Sequence, residues 1–407
     1  MSKINILVVA SDNQGGVGFY RSSQPHIQLE KQFPEEFNVD FDLQPNFRDL
    51  DSFNKYQIIH IHKGIFFDMD GFYKALEYFK KQGIITIMDI DDYWELHEHH
   101  PMFTGNKDNQ HANFIKKNLT LFDYITTTTP IFANEIKKYN KNVVIFPNAI
   151  DPSDSRFKIN REDSNFIRIG LVMGSTHEHD MALLNNVANK LPSDVLEKVQ
   201  FVLCGYDLRG KVRFYNEDGS FSERSITPRE SVWYRYEKML TDNYKIISNE
   251  YKEFLEMFLP NVQYPNVKNE HYKRCWTKDM NHYYEHFSEI DVLLAPLEES
   301  LFNKVKSPLK VAEAAFAHVA IIASNFGPYT LDLKNAIERG GMINPNGNAL
   351  LVDENKNHKD WAKYITKIVR EPELLKMLQN NLYESVHEKF DLRNVTNDRA
   401  EFYKKII

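Results

Sequence analysis

The stretch Phe302-Asn303-Lys304-Val305-Lys306-Ser307-Pro308-Leu309-Lys310-Val311-Ala312-Glu313-Ala314-Ala315 reads as a polar loop running into a helix. Ser307 is placed to cap that helix, and Pro308 to occupy its first position, where the missing N–H has no partner to lose. The free amides of such a start, the positive end of its dipole, and Lys304 and Lys306 just before it make a site for phosphate oxygens. Glu313 lies nearly two turns further on. It is too far along to touch the same phosphate, but it could accept hydrogen bonds from a ribose diol alongside, at about 1.5–3 kcal/mol for each charge-assisted bond. An ordinary helix start with solvated lysines fits the same residues.

Working outward, the segment is flanked by compact apolar runs at 290–295 and 319–323, and similar runs occur at 166–173 and 199–204. Such runs read as buried parallel strands. The first half repeats the pattern, with strands expected at 4–10, 56–61, 84–89, 124–128 and 143–146 and helical spacing at 72–81, 112–121 and 131–139. Alternating strands and helices predict an α/β chain of two doubly wound parallel-sheet, Rossmann-like domains around a cleft. The break at Pro147-Asn148-Ala149-Ile150-Asp151-Pro152 and the polar residues 154–165 mark a linker. Domains are therefore expected at 1–155 and 156–385. Residues 386–407 should form a terminal helix that returns to the first domain. Between about 206 and 285 the rhythm fails in a segment rich in tyrosine, charge and asparagine, expected as a mainly helical insertion with helices near 232–240 and 250–258.

A chain of 407 residues suits two domains at about 100–200 residues each. Its net charge of -7 offers no global attraction to nucleic acid, so a site for an anionic substrate must be built locally. Two cysteines, Cys204 and Cys275, are too few and too far apart for a disulfide framework or a cysteine zinc site, which fits a reducing cytoplasm. The start of the chain reads as a strand interrupted by Asn5, not as a leader, and no run reaches the length of a membrane span. An aromatic and lysine stripe at Phe72, Tyr73, Lys74, Phe79, Lys80 and Lys81 leaves peripheral membrane contact open, although packing on the sheet suits it better. No internal repeat is evident.

The order of strand 290–297, loop, glutamate-bearing helix and strand 317–325 resembles the family-four, or group one, glycosyltransferases of GT-B fold. Gly15-Gly16-Val17-Gly18 after the first strand, Phe146-Pro147-Asn148-Ala149-Ile150-Asp151 before the linker and the terminal helices after Gly340-Gly341 occur in matching order. The resemblance implies transfer of a sugar from a nucleotide diphosphate donor to a glycan or lipid-linked acceptor, with retention. It implies neither a metal nor a cofactor, since the nucleotide-sugar is a substrate. By the same likeness Glu313 would hold the donor ribose and Lys306 and Ser307 the diphosphate, in a loop shared with Asn303, Pro308 and Leu309. Gly16, Val17 and Gly18 would approach the transferred sugar, and the Gly174-Ser175-Thr176-His177 turn would face the donor phosphates. The family's paired glutamates stand eight positions apart, and eight before Glu313 stands Val305; Glu298 or Glu299 would have to approach the sugar instead. That departure motivates a rival, a catalytically silent GT-B subunit binding a partner transferase or glycan.

Asp89-Ile90-Asp91-Asp92 has the Asp-x-Asp spacing of metal-dependent transferases, the second rival. In the resembled family this loop often carries a histidine near the reacting sugar, so Asp89 or Asp91 is a candidate acceptor-side base. Plain capping by these aspartates also fits. No Gly-x-Gly-x-x-Gly is present, which excludes the dinucleotide fingerprint. Arg21 could meet an anion, though an exposed helix arginine is the plainer expectation. His60 and His62 share a strand face and read as core histidines, with His62-Lys63-Gly64 a possible substrate contact. His97, His99 and His100 lack metal-ligand spacing and read as solvated loop residues.

Overall fold

The computed structural model describes residues 3–12, 15–65, 68–96, 98, 100, 103, 105–215, 220–338, 340–353 and 358–407. His97 and His99 lie outside the described residues. The chain divides into two compact units, one of Met1–Ser155, Ser300–Ala312 and Val386–Ile407, the other of Arg156–Glu299 and Glu313–Ser385. Each has its own sheet.

In the first unit six parallel strands run β1 (Ile4–Val9), β2 (Phe37–Asp42), β3 (Ile58–His62), β4 (Ile85–Asp89), β5 (Tyr124–Thr127) and β6 (Val143–Ile145), in the order β2-β1-β3-β4-β5-β6. The sequence reading omits β2. Its alternation of Phe37, Val39 and Phe41 with Asn38, Asp40 and Asp42 is that of an edge strand with one covered face, unlike the continuous apolar runs of its neighbours. Helix Met69–Gln82 packs Phe72, Ala75, Leu76 and Phe79 into the sheet and stops at Gly83, whose φ of 71° is the left-handed cap a glycine supplies. The stripe considered for membrane contact is thus partly the core face of this helix.

The terminal helix Leu392–Ile406 joins this unit. Ile150 donates to the Phe390 carbonyl and accepts from Leu392, at 2.8 Å each, and Ala400 and Tyr403 pack with Ile6, Val8, Phe37 and Ile58. Beneath it His26 bonds the Ser22 carbonyl at 2.7 Å and the Tyr403 hydroxyl at 2.9 Å. His60, expected as a satisfied core histidine, is buried with neither ring nitrogen hydrogen-bonded, 4.6 Å from the His26 ring. Burial, reinforced for His26 by His60 and for His60 by Arg399 and Arg21, holds both imidazoles well below their usual range. Protonation therefore favours the unfolded chain. Stability from these two groups is full above an unfolded pKa of about 6.5 and falls as the pH drops below it, by up to about 1.4 kcal/mol per pH unit for each histidine. Melting of the first unit should drop between pH 7 and 5, and His60→Leu should flatten that slope; an equal slope in the variant would refute the assignment.

The second unit repeats the plan with β7 (Ile167–Val172), β8 (Val199–Tyr206), β11 (Tyr272–Trp276), β12 (Val292–Ala295), β13 (Ala320–Ser324) and β14 (Leu350–Val352), ordered β11-β8-β7-β12-β13-β14 and parallel throughout. A separate antiparallel pair, β9 (Lys211–Tyr215) and β10 (Phe221–Ser225), stands apart from this sheet. The segment expected as a mainly helical insertion has the two helices expected, Val232–Thr241 and Asn249–Glu256, but it also holds strands that were not expected. It contains the β9–β10 pair, and it contains β11, a strand of the main sheet. Lys273 and Arg274 disguise β11 as polar. Arg274 is nonetheless buried, because the Glu237 carboxylate on helix Val232–Thr241 receives its Nε and Nη2 at 2.8 Å each.

Candidate functional site

In doubly wound sheets ligands gather at the strand carboxyl ends where the strand order reverses. In the first unit that point lies between β1 and β3, and in the second between β7 and β12. Gly16, Val17 and Gly18 follow β1, and Gly174, Ser175 and Glu298 follow β7 and β12; Asp89 ends β4, and Asn303 to Leu309 lie in the separate 300–312 segment.

After β1, Gly15 donates its amide to the Asp12 carboxylate. Gly16 and Val17 are half-buried, and Gly18 opens a π-helical turn, Gly18–Ser23. A Cβ on Gly18 would stand 2.2 Å from the Asp12 carbonyl oxygen, so the loop demands glycine there. The turn delivers Arg21 inward. Instead of the exposed helix arginine expected, it is 1% exposed, with Nε 3.0 Å from Asp89 Oδ2 and Nη2 2.6 Å from Asp89 Oδ1. Its Nη1 reaches the Phe146 carbonyl at 2.7 Å and Asn148 Oδ1 at 3.0 Å, and Asn148 Nδ2 donates to Ser307 Oγ at 3.0 Å. The Pro147-Asn148 break is thus the link that joins the 300–312 segment to the end of β4.

Asp89 also accepts from Thr126 Oγ1 at 2.6 Å and is fully buried. Burial pushes its pKa up, but the Arg21 guanidinium outweighs that and leaves it lowered. A carboxylate so paired is a poor proton acceptor and has both oxygens engaged, so the geometry gives Asp89 the role of counter-ion to Arg21. Asp91 is also buried, 3.1 Å from His62 Nε2 and 3.2 Å from Lys63 Nζ. Against the effect of burial, Lys63 and then His62 lower its pKa. Lys63 takes φ of 59°, and Gly64 donates to the His62 carbonyl at 2.8 Å, a tight γ-turn of the strained kind that aims a side chain. His62 is buried, as expected of a core histidine. Alternation on β3 placed His62 on a face but could not show that the strand ends there and turns at Lys63.

In the 300–312 segment, Ser300 caps the turn Leu301–Lys304 by accepting from Asn303 N at 3.1 Å. Asn303 and Pro308 are buried; Lys306, Ser307 and Leu309 are half-buried. The Lys306 ammonium lies 5.1 Å from the Phe302 ring centre. Helix Leu309–Phe316 follows, and the Ala312 amide reaches the Pro308 carbonyl at 3.3 Å. Val305, in place of the first glutamate of the resembled family, is fully buried in the apolar cluster of the first unit with Ile61, Ile65 and Trp94. A carboxylate there would have no water. Val305→Glu should destabilise the unit by at least about 3 kcal/mol, against about 1 for Val305→Ala. A melting temperature preserved in the Glu variant would overturn this reading.

In the second unit β7 is followed by Gly174 and Ser175, both exposed, and His177 precedes the short helix Glu178–Ala182. His177 Nδ1 is 2.6 Å from Asp180 Oδ2, while Asp180 Oδ1 accepts from the Glu298 amide at 2.7 Å. One buried aspartate thereby ties the ends of β7 and β12 together and orients an imidazole at the reversal point. The i,i+3 spacing of His177 and Asp180 was a signal the sequence reading did not use. Tyr236, from the segment expected as an insertion, donates to the Ser175 carbonyl at 3.1 Å. Glu298 is half-buried, and Glu313 is fully buried with its carbonyl accepting from the Tyr284 hydroxyl at 2.8 Å.

No protein-family model matches the chain, and no curated protein matches its sequence. Solved structures match the fold. HepE from Anabaena, in complex with UDP, gives a TM-score of 0.56 at 11% identity over 99% of this chain and 100% of that one. The catalytic domain of starch synthase IV from Arabidopsis thaliana, bound to ADP and acarbose, gives 0.56 at 10% identity over 100% and 98%. A UDP-forming trehalose-phosphate synthase from Burkholderia vietnamiensis gives 0.54 at 10% identity over the whole of both chains. The chain has the GT-B fold.

A GT-B chain has two reversal points, and here each carries an imidazole held by a carboxylate: His62 with Asp91, and His177 with Asp180. Among the described residues no group of three or more His, Cys, Asp or Glu side chains could hold a metal ion. The Asp89-x-Asp91 pair is directed to Arg21, His62 and Lys63. No helix of the described residues is long and apolar enough to cross a membrane.

Proposed function

We propose that this chain is a glycosyltransferase that moves a sugar from a nucleoside diphosphate donor to a glycan or lipid-linked acceptor, with retention and without a metal. The observation that carries the reading is the full-length likeness to GT-B structures bound to UDP or ADP, in a chain whose own reversal points are lined by polar side chains. The diphosphate is assigned to the start of helix Leu309–Phe316, with Lys306 and Ser307, and the ribose to Glu313. Gly16, Val17, Gly18, Gly174 and Ser175 supply backbone that a donor can approach closely. Asp91, with His62 and Lys63, is the proposed acceptor-side group, and Asp89 holds Arg21. Glu298 is the proposed carboxylate on the donor side.

Glu313→Ala should weaken UDP binding by about tenfold, the loss of one charge-assisted bond, read by calorimetric titration. Unchanged affinity would remove Glu313 from the site. Turnover of UDP-, GDP-, ADP- or dTDP-sugars by the purified chain, undiminished by a strong chelator, supports the metal-independent reading. Activity abolished by the chelator and restored by a divalent ion would replace it with the metal-dependent one. The buried Val305 favours one other reading, a silent GT-B subunit that binds a glycan or partner transferase; nucleotide binding without any turnover would decide for it.

A further inference from the structure

At the amino-terminal ends of β7, β8 and β11, the edge of the second sheet away from its reversal point, lies an open cavity of about 490 Å³. Its size falls within the range of about 300–1,000 Å³ usual for ligand sites, but its walls are polar where such sites are mostly apolar. Three cations and three carboxylates line it: Arg168, Lys268 and Lys273 against Glu162, Asp163 and Glu289. Every cation already has a counter-ion. Arg168 is bidentate to Asp291 at 2.9 and 3.0 Å, Lys268 meets Glu162 at 3.0 Å, and Lys273 meets Glu289. A phosphate would find no unpaired positive charge.

The remaining groups are hydrogen-bonding amides. Gln200, 4% exposed, gives its Nε2 to the Val267 and Glu270 carbonyls at 2.9 and 2.8 Å, leaving Oε1 as the acceptor it offers to the cavity. Asn165 and Asn269 are exposed on the wall. Asn269 also lines a second hollow of about 450 Å³ with Ile246, Ile247 and Ser248, so the two depressions adjoin and suit a ligand longer than one ring.

We infer that this edge is a binding site for a neutral oligosaccharide, separate from the reversal point of the second sheet. Planar amides beside carboxylates, with every lining cation already paired and Asp163 left as an acceptor, match a hydroxyl-rich, uncharged ligand, which donates to the carboxylates and to Gln200 Oε1 and accepts from Asn165 and Asn269. The site does not depend on the transferase reading.

Calorimetric titration of the full chain with maltotriose, cellotriose and triacetylchitotriose is the test, repeated with the Asn165→Ala/Asn269→Ala double variant and with Gln200→Met. At least one trisaccharide should bind with Kd on the order of 1 mM, and the double variant should weaken that binding about tenfold, with UDP affinity unchanged. No binding by any of the three sugars, binding unchanged in the double variant, or sugar displaced by UDP would each overturn the inference. Sugar binding lost in the variant while a chain without turnover still binds UDP would overturn only the transferase reading.

Discussion

Arg21→Ala should lower the stability of the first unit by about 3–5 kcal/mol, the usual cost of leaving a buried charge without its partner. Asp89 is the group left behind. It is fully buried, and apart from Arg21 its bonded neighbour is Thr126 at 2.6 Å, with His62 4.0 Å away. The same substitution frees the Phe146 carbonyl and Asn148 Oδ1, and through Asn148 it loosens the tether on Ser307. Because the chain has two units, unfolding is best followed by calorimetry that resolves separate transitions, with the first-unit transition falling and the second remaining in place. The Arg21→Met/Asp89→Leu double variant should recover much of the loss, since a buried pair is often matched by an apolar one. A double variant no more stable than Arg21→Ala would show that shape, not charge, sets the cost. Lys at position 21 is no substitute, because a point charge cannot make the bidentate contact.

Much of the fold is legible in the sequence because parallel strands buried on both faces leave continuous apolar runs, as at Val292–Ala295 and at 320–323. Strands that break that rule were lost. β2 alternates because it is an edge, β14 has only three residues, and β11 carries a buried arginine. The candidate site was legible only as local chemistry. Residues 303–313 and the Gly16–Gly18 loop stand out by local chemistry, whereas Asp89 looks like a base or a metal ligand until Arg21, 68 positions earlier, is brought against it. Pairing at such separation leaves no periodic trace in one sequence. The turn at Lys63, with its positive φ, is a backbone feature that composition does not encode.

The second large effect is expected at Glu237. Its two carboxylate oxygens accept four hydrogen bonds, from Arg274 Nε and Nη2 at 2.8 Å each, Tyr244 at 2.8 Å and Tyr272 at 2.7 Å, with no part of the residue exposed. Burial, and next the carboxylate itself, push both phenols up, so they remain protonated donors at any ordinary pH. Glu237→Ala strands a buried guanidinium and two hydroxyls at once, and should destabilise the second unit by about 3–5 kcal/mol. Glu237→Gln keeps the shape and one oxygen but sets an amide N–H against donors, so it should fall between wild type and alanine. The network also adjoins a candidate site residue, because Glu237 neighbours Tyr236, whose hydroxyl donates to the Ser175 carbonyl just after β7. Tyr236→Phe removes that bond alone. It should cost about 1 kcal/mol of stability and, if the Gly174-Ser175 turn faces the donor, weaken UDP binding severalfold. An equal stability loss with UDP affinity intact would separate the turn from the donor site and leave Glu237 a purely structural anchor for β11.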